Sequence, residues 1–213
     1  MSSVWDERAA AYRESEAHRE GPDLDLLVEW AAGARTALDF GAGGGHVARR
    51  LREAGLEVVS VDPAPGMQAD VQASAEHLPF ADASFDVVAT RVAAHHFAAV
   101  AAAVAEMARV AADRVLVVDN LFMGERAEEA DRLRDPSHVR NYGEVEWRAF
   151  FEGAGLTVAE ARRLDRPIRF DPWLERSGCT GADAQRVREL LADRIEGDWI
   201  TLDRIALLGR KEH

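Results

Sequence analysis

Hydrophobic residues along this chain follow two different spacings. Short, mostly apolar runs that are typical of buried strands occupy residues 37–40, 58–61, 85–88, 115–119 and 200–208, and another begins at Leu156. Segments with the composition and spacing of helices lie at 5–12, 24–31, 46–54, 97–108, 145–154 and 187–195. The two kinds of segment alternate, which predicts an α/β fold with helices on both faces of a largely parallel sheet.

The most informative junction joins the first two apolar runs. Residues 41–45 read Gly-Ala-Gly-Gly-Gly, a helical segment follows and stops at Gly55, and the second run ends in Asp62. Strand, glycine turn, helix, strand and terminal carboxylate make one βαβ nucleotide-binding unit. Glycines let the backbone approach a ligand closely, and the start of the helix offers unpaired N–H groups. Asp62 is suited to accept hydrogen bonds from both hydroxyls of a ribose.

The spacing of the glycines discriminates between two classes of nucleotide. A dinucleotide fingerprint requires Gly or Ala at the sixth position counted from Gly41, and that position is His46. Asp39 stands two residues before the first glycine, where a carboxylate suits an ammonium group and would repel a pyrophosphate. An NAD-dependent oxidoreductase is therefore the disfavoured alternative.

Two segments resemble the cofactor-binding region of class I S-adenosylmethionine (SAM) methyltransferases. They are the pattern Asp39-x-Gly41-x-Gly43-x-Gly45 and the block at 73–80, Ala-Ser-Ala-Glu-His-Leu-Pro-Phe. The resemblance implies SAM as cofactor, S-adenosylhomocysteine (SAH) as product, and a Rossmann-like, doubly wound sheet of seven strands with an antiparallel last strand. It assigns cofactor binding to Asp39, Phe40, Gly41, Ala42, Gly43, Gly45, Asp62, Pro63, Met67, Ser74, Ala75, Glu76 and Arg91.

The chain departs from the family in the adenine region. Ser74 stands where the family usually has an Asp, so a hydrogen bond to the adenine amino group would lack charge assistance. Only eleven residues separate Asp62 from Ser74, which leaves room for one helical turn at 66–69 and a stub of the third strand near Val71. These departures keep a catalytically silent SAM-binding protein as a second alternative.

At a finer level the chain resembles small-molecule methyltransferases of the type 11 group, in an uncharacterised bacterial branch near the quinone C-methyltransferases. The segments that carry this resemblance are 12–24, 93–97 and 132–140. It implies a small organic acceptor methylated at O, N or C. The candidate acceptor-binding residues are Tyr12, His18, Arg134, His138 and Arg140.

His95 and His96 are the candidate catalytic residues. They follow the fourth strand of the family fold, at the carboxyl edge where open α/β sheets bind ligands. A histidine there can take a proton from an acceptor that arrives protonated. The alternative is that one histidine caps the next helix and the other packs. Arg132, Arg134, His138 and Arg140 form a basic cluster that would attract an anionic acceptor or, alternatively, make a solvated helix face.

The whole chain, 1–213, is expected to form a single domain. Residues 1–33 are predicted to form an N-terminal helical cap, 34–120 the cofactor-binding half, and 121–213 the acceptor-side helices and last strands. Within the last part, a helical insertion or lid is expected at about 165–197, between the final two strands.

Composition narrows the remaining possibilities. A formal net charge of −12 argues against nucleic acid and anionic membranes as partners. The single Cys179 forms neither an intramolecular disulfide nor a site of several thiolates, so no metal is expected and arsenite methylation is excluded. No run approaches the ~18 apolar residues of a membrane span, and the acidic start is unlike a signal peptide. The cytoplasm is the expected location, as a monomer or a homodimer.

Overall fold

The computed structural model describes residues 4–212, which contain one mixed sheet with helices on both faces. The strands are β1 Thr36–Phe40, β2 Glu57–Val61, β3 Phe85–Arg91, β4 Ala111–Asn120, β5 Leu156–Arg169, β6 Ile195–Glu196 and β7 Trp199–Lys211. The helices are α1 Val4–Glu14, α2 Glu16–Arg19, α3 Pro22–Trp30, α4 His46–Glu53, α5 Val100–Val110, α6 Glu125–Arg134, α7 Glu144–Gly153, α8 Phe170–Arg176 and α9 Gly181–Leu190.

The sheet has the order β2-β1-β3-β4-β7-β5, and the two-residue β6 pairs with β7. β1, β2, β3 and β4 are parallel to one another, whereas β7 lies antiparallel between β4 and β5. The prediction of a Rossmann-like sheet of seven strands with an antiparallel last strand is therefore confirmed. All the parallel strands end at one edge of the sheet, which is where open α/β sheets bind ligands.

The shortened third-strand region takes the form expected from its length. A single 3₁₀ turn at Pro65–Met67 follows β2, and what remains of the third strand is an isolated parallel bridge between Val61 and Val71. The seventh strand of the sheet is thus β6, which lies in the segment between β5 and β7 rather than next to β2.

Two predicted boundaries need correction. The helix expected from residue 97 begins at Val100, because Ala94–His96 forms a separate 3₁₀ turn and Phe97 is extended. The insertion expected from Asp165 begins later, since β5 continues to Arg169 as the paired partner of β7.

Packing separates the molecule into layers. One face of the sheet is covered by α3 and α4 through Leu24, Leu27 and Leu51, and the other by α5 and α7 through Met107, Trp147 and similar residues. A further apolar cluster joins α6, α8 and α9 to the far ends of β5 and β7, through residues such as Trp173, Val187 and Ile200. This helical layer and α1–α2 both stand over the carboxyl edge of the parallel strands.

Candidate functional site

The glycine loop between β1 and α4 is folded back onto β2. The N–H groups of Gly41 and Ala42 both donate to the carbonyl of Val61, at 2.9 and 3.0 Å. Gly41 has φ +68°, and a Cβ there would lie 3.0 Å from the Cβ of Ala93. A side chain at this position would therefore be strained and crowded, so the loop requires glycine.

Asp39 is buried directly beneath the loop. Its Oδ2 accepts the N–H of Ala48 at 2.8 Å, in the first turn of α4, where Gly45 at the N-cap has no side chain to do so. Burial raises the pKa of Asp39 to about 7, with the nearby Asp62 contributing in the same direction. The Asp39 carboxyl therefore ionises less readily than an exposed one, and a nearby cation would favour its ionised form.

Asp62 follows β2 and is fixed by two backbone donors. Its Oδ2 accepts the N–H of Gly43 and its Oδ1 accepts the N–H of Ala64, both at 2.9 Å. Burial raises its pKa, although both hydrogen bonds oppose that shift. Each oxygen retains a lone pair, so the carboxylate can still accept two hydrogen bonds from a ligand in a fixed direction.

The loop, Asp39 and Asp62 line a cavity, which we call the glycine-loop cavity. Eight of the predicted cofactor residues line it: Asp39, Gly41, Ala42, Gly43, Asp62, Pro63, Met67 and Arg91. Sequence reasoning did not assign to it Trp5, Gly44, His46, Val47, Val92, Ala93 and Phe97, which also form its wall. Of these, Gly44 carried a recognisable signal as part of the glycine run, and Ala93 and Phe97 belong to the segment 93–97 that resembles the family.

Five predicted cofactor residues do not line this cavity: Phe40, Gly45, Ser74, Ala75 and Glu76. Phe40 is buried beneath the loop with its ring 5.4 Å from that of Phe97. Ser74 is exposed, and Ala75 packs against the core. The structure therefore brings the methionine-side and ribose-side candidates together and leaves the adenine-side candidates apart.

Helices α1 and α2, the N-terminal cover, close the cavity from above. The backbone carbonyl of Tyr12 accepts the Nε2–H of His46 at 3.0 Å, and Arg13 donates to the carbonyl of Gly66 at 2.7 Å. A Cβ at Gly44 would lie 2.7 Å from that same Tyr12 carbonyl oxygen. The absence of a side chain at Gly44 thus allows the cover to approach the loop.

Arg91 was predicted to bind a cofactor, but its guanidinium is held by other residues. Its Nε donates to Asp23 at 2.8 Å and its Nη1 to the backbone carbonyl of His18 at 3.0 Å. Burial alone would raise the pKa of Asp23, but Arg91 and Arg204 lower it to about 2. The arrangement ties α3, β3 and β7 together and fixes the backbone at His18.

A second, smaller cavity, the inner pocket, lies behind the first. It occupies about 30 Å³, against about 150 Å³ for the glycine-loop cavity. Both are lined by Tyr12, His18, Val92 and His96, so these side chains form the boundary between them. Val92 has φ +55°, which is rare for a β-branched residue. Such strain is typical of positions where a site dictates the backbone.

His95 faces the inner pocket and is held by Asp119 at the end of β4. Its backbone N–H donates to Asp119 Oδ2 at 2.9 Å and its Nδ1 to Oδ1 at 2.5 Å, so Nε2 is the nitrogen left to accept a proton. Burial lowers the pKa of His95, but Asp119 outweighs burial and raises that pKa above 6.5. This dyad has the geometry of an oriented general base.

His96 lies at the boundary and has the opposite character. Its Nδ1 donates to the carbonyl of Ser137 at 3.1 Å, and its ring is 4.1 Å from that of His95. Burial, together with His95, lowers the pKa of His96 to about 3. It is therefore neutral at physiological pH and a weak base. The alternative interpretation, in which one histidine caps α5, does not hold, because the N-cap is Ala99.

The comparisons with known proteins agree with this geometry. A family model for a methyltransferase domain, of the type 11 group, matches residues 38–118. YcgJ of Bacillus subtilis, described as an uncharacterized methyltransferase, is 35% identical over 206 residues, covering 85% of this chain and 81% of YcgJ. This chain belongs to the class I SAM-dependent methyltransferases.

Solved structures support the same assignment for the methyltransferase fold. The crystal structure of B. subtilis YcgJ superimposes with a TM-score of 0.80 at 29% identity, covering 90% of this chain and 98% of that one. A protein of Bacillus halodurans C-125 gives a TM-score of 0.78 at 27% identity, over 91% and 100% of the two chains. The relation to quinone C-methyltransferases stays a prediction.

The basic cluster predicted on this methyltransferase is not a single surface. Arg140 pairs with Glu146 at 2.8 Å on the exposed side, and His138 donates to the buried Glu128 at 2.8 Å. Neither lines either cavity, because each is engaged by its own carboxylate. Arg134 alone of the cluster reaches the inner pocket.

The methyltransferase also contains a buried polar group that the sequence did not indicate. Ligand-type atoms of Glu128, Asp131 and His138 lie within 4.8 Å of one another. The amide nitrogen of Asn141 donates to Glu128 at 3.2 Å and to Asp131 at 2.7 Å. These bonds join α6 to the segment before α7.

Among residues 4–212 no helix is long and apolar enough to cross a membrane.

Proposed function

We propose that this methyltransferase binds SAM in the glycine-loop cavity and methylates a small organic acceptor held at the boundary with the inner pocket. The observation that carries the proposal is the position of Asp62. Both of its oxygens are fixed by backbone N–H groups of the loop region, at 2.9 Å each, and they face the cavity.

The residues present fit the cofactor. The free lone pairs of Asp62 suit the two hydroxyls of a ribose. Asp39, a buried carboxyl whose pKa is raised to about 7 by burial, suits the ammonium of the methionine end, because a cation would stabilise its ionised form. Gly43 lines the cavity with φ +50° and nothing within 4 Å of its Cβ position, so the main chain there can come close to a ligand.

The acceptor side supplies orientation and a base. When bound, SAM supplies a methyl group already activated on a sulfonium, so alignment of the nucleophile contributes much of the acceleration. The His95 Nε2 takes the proton of an acceptor hydroxyl or amine, and Asp119 stabilises the resulting imidazolium. His96 and Val92 line both cavities, so an acceptor held at this boundary would lie next to the methyl group of the cofactor.

Titration calorimetry with SAM, SAH and NAD tests the cofactor assignment. The proposal expects SAM and SAH to bind at one site per chain and NAD not to bind. Binding of NAD in preference to SAH would overturn it. A panel of phenols, acids and amines assayed for SAH release then tests the acceptor side, and a failure of every acceptor would favour a silent SAM-binding protein.

A further inference from the structure

The inner pocket has a concentration of positive charge that is unusual in so acidic a protein. Three arginines line it, Arg134, Arg176 and Arg204, and no Asp or Glu among residues 4–212 does so. The chain as a whole carries a formal net charge of −12. A local excess of buried guanidinium groups therefore calls for a specific explanation, because an unpaired buried charge is costly.

Arg134 is the clearest case. It is 6% exposed, and its Nε is buried without a hydrogen-bond partner. The nearest carboxylate oxygen belongs to Asp131, at 3.7 Å, which is too far for a hydrogen bond. Asp131 accepts instead from Asn141, and the neighbouring Asp135 pairs with Arg8 at 2.9 Å. The buried Nε–H of Arg134 thus lacks an acceptor, and the guanidinium lies 4.4 Å over the ring of Trp173, which fixes its plane.

Arg176 lacks even the long ion pair that Arg134 makes with Asp131 at 3.7 Å. Its Nη1 donates to the hydroxyl of Ser15 at 2.9 Å, and no ion pair with an acid joins it within the described part of the chain. Burial lowers the pKa of Arg176, and Arg134 lowers it further by repulsion. Burial, with Arg176 and Arg91, also lowers the pKa of His18 well below its ordinary value. The positive potential of the arginines therefore lowers the pKa of both Arg176 and His18, which line the pocket.

Arg204 adds to the imbalance. It shares the single carboxylate of Asp23 with Arg91, at 2.6 and 2.8 Å, so two guanidinium groups are neutralised by one acid. An anion in the inner pocket would neutralise this excess and could accept the unpaired Nε–H of Arg134. A guanidinium fork matches the two oxygens of a carboxylate or phosphate.

We propose that the methyl acceptor carries an anionic group, a carboxylate or phosphate, which binds in the inner pocket between Arg134 and Arg176. The inference deepens the proposed function and rests on it for the role of the ligand as acceptor. An acceptor anchored in this way presents its other end toward His96 and Val92, at the boundary with the glycine-loop cavity. The pocket's volume of about 30 Å³ suits one small headgroup rather than a whole molecule.

The test titrates benzoate, phenyl phosphate and benzamide into the SAH-saturated protein, and follows the arginine Nε–H signals by NMR. We expect at least one anion to bind ten times more tightly than the neutral benzamide and to shift the Arg134 signal. Arg134→Gln and Arg176→Gln should each weaken that anion at least tenfold and leave benzamide unchanged. The better of the two anions identifies the headgroup.

Arg132→Gln is the matched control. Arg132 is on the same helix, its side chain is 53% exposed, and its ion pair with Glu128 spans 3.6 Å, outside the inner pocket. This variant should bind the anion as the wild type does. If Arg134→Gln does not fold, Arg134→Lys, which keeps the charge but loses the fork, and Arg176→Gln decide the question.

Equal affinity for the three probes, no binding of either anion, or anion binding that survives both glutamine variants would overturn the inference. SAH affinity, measured by calorimetry in every variant, should not change. If SAH itself does not bind, the titrations are repeated on the unliganded protein. Arginine-dependent anion binding would then uphold the pocket while the proposed cofactor site fails, so the two failures are distinguishable.

Discussion

The glycine-loop cavity and the inner pocket share a boundary but are built in different ways. The first draws most of its lining residues from one stretch, residues 39–67, and uses backbone N–H groups to fix Asp62. The second is assembled from side chains that are far apart in sequence, among them Tyr12, His95, Arg134 and Arg204. A site made of local backbone geometry carries a sequence motif, whereas a site made by tertiary packing does not.

The largest expected effect is a loss of cofactor affinity at the glycine-loop cavity, with the inner pocket left intact. Asp62→Ala removes the proposed acceptor of two ribose hydrogen bonds, which also accepts the Gly43 and Ala64 N–H groups. Two charge-assisted hydrogen bonds represent roughly 3–6 kcal/mol, so SAH affinity measured by calorimetry should fall more than about a hundredfold. Anion binding in the inner pocket should persist.

Asp82→Ala is the control for that variant. Its carboxylate is 79% exposed and pairs with Arg109 at 2.8 Å, away from both cavities. SAH affinity should be unaffected in this control. An Asp62→Ala protein that remains folded and binds SAH normally would remove the ribose role assigned to Asp62.

The next largest effect is a loss of turnover from a change in the inner pocket, with the glycine-loop cavity left intact. His95→Ala should lower turnover about 10²- to 10⁴-fold, with SAH affinity retained, because only proton transfer is lost. Since a base must be unprotonated, the wild-type rate should rise with pH through an apparent pKa above the ordinary 6.5 of histidine, in line with the raised pKa of His95. Asp119→Asn should move this rise to lower pH, as the stabilising charge is removed.

These rates are measured as SAH release with an acceptor identified from the panel. His96→Gln is the comparison, because the low pKa of His96, about 3, makes it a weak base at neutral pH. A pH profile that follows His96 rather than His95, or that is unchanged in Asp119→Asn, would contradict the assignment of the dyad.

A smaller effect concerns the pH dependence of cofactor affinity. The pKa of Asp39 is raised to about 7, so its ionised fraction increases somewhat under tenfold between about pH 6 and pH 7.5. SAM affinity should rise by up to that factor and then level off. Asp39→Asn keeps an oxygen for the Ala48 N–H but should bind SAM more weakly and with a flat profile over this range.

The same group gives a stability prediction of defined sign. Because the folded pKa of Asp39 exceeds the unfolded value of 3.8, the folded protein holds the proton more tightly between about pH 4 and pH 7. The free energy of unfolding of the unliganded protein should therefore have a component that decreases as pH rises through this range. Asp39→Asn should lose that component, and an identical pH dependence in both proteins would contradict the raised pKa.

The smallest effect tests how the cover meets the loop. Gly44→Ala places a Cβ 2.7 Å from the Tyr12 carbonyl oxygen and should push α1 away. Amide hydrogen exchange in residues 4–19 should accelerate with little change elsewhere. Gly153→Ala is the control, because nothing lies within 4 Å of its Cβ position and the helix should gain up to about 1 kcal/mol. Equal exchange in residues 4–19 of both variants would contradict this contact.

The extent to which sequence predicted these features follows from how each is encoded. The succession of strands and helices and the position of Asp62 at the end of β2 could be predicted, because apolar runs and a glycine turn are contiguous signals. The shortened region after Asp62 was also predictable, since eleven residues cannot hold a helix and a full strand. Residues 74–76 were assigned to the adenine by resemblance, and the structure leaves Ser74 exposed outside the cavity.

The inner pocket could be predicted only in part. His95 and Arg134 were recognised, but the Asp119 that orients His95 lies at the end of another strand, 24 positions away. Arg176 and Arg204 are brought into the pocket by α8 and β7, and nothing local in sequence marks them. Arg140 and His138 were grouped with Arg134 by proximity in sequence, but Glu146 and Glu128 hold them elsewhere.

A crystal structure of the protein with SAH tests the central claim most directly. The account predicts the ribose hydroxyls within hydrogen-bonding distance of the Asp62 carboxylate, with the amino-acid end against Asp39 and residues 41–44 of the loop. SAH bound elsewhere with the glycine-loop cavity empty, or a loop that binds the diphosphate of NAD in a parallel soak, would contradict it.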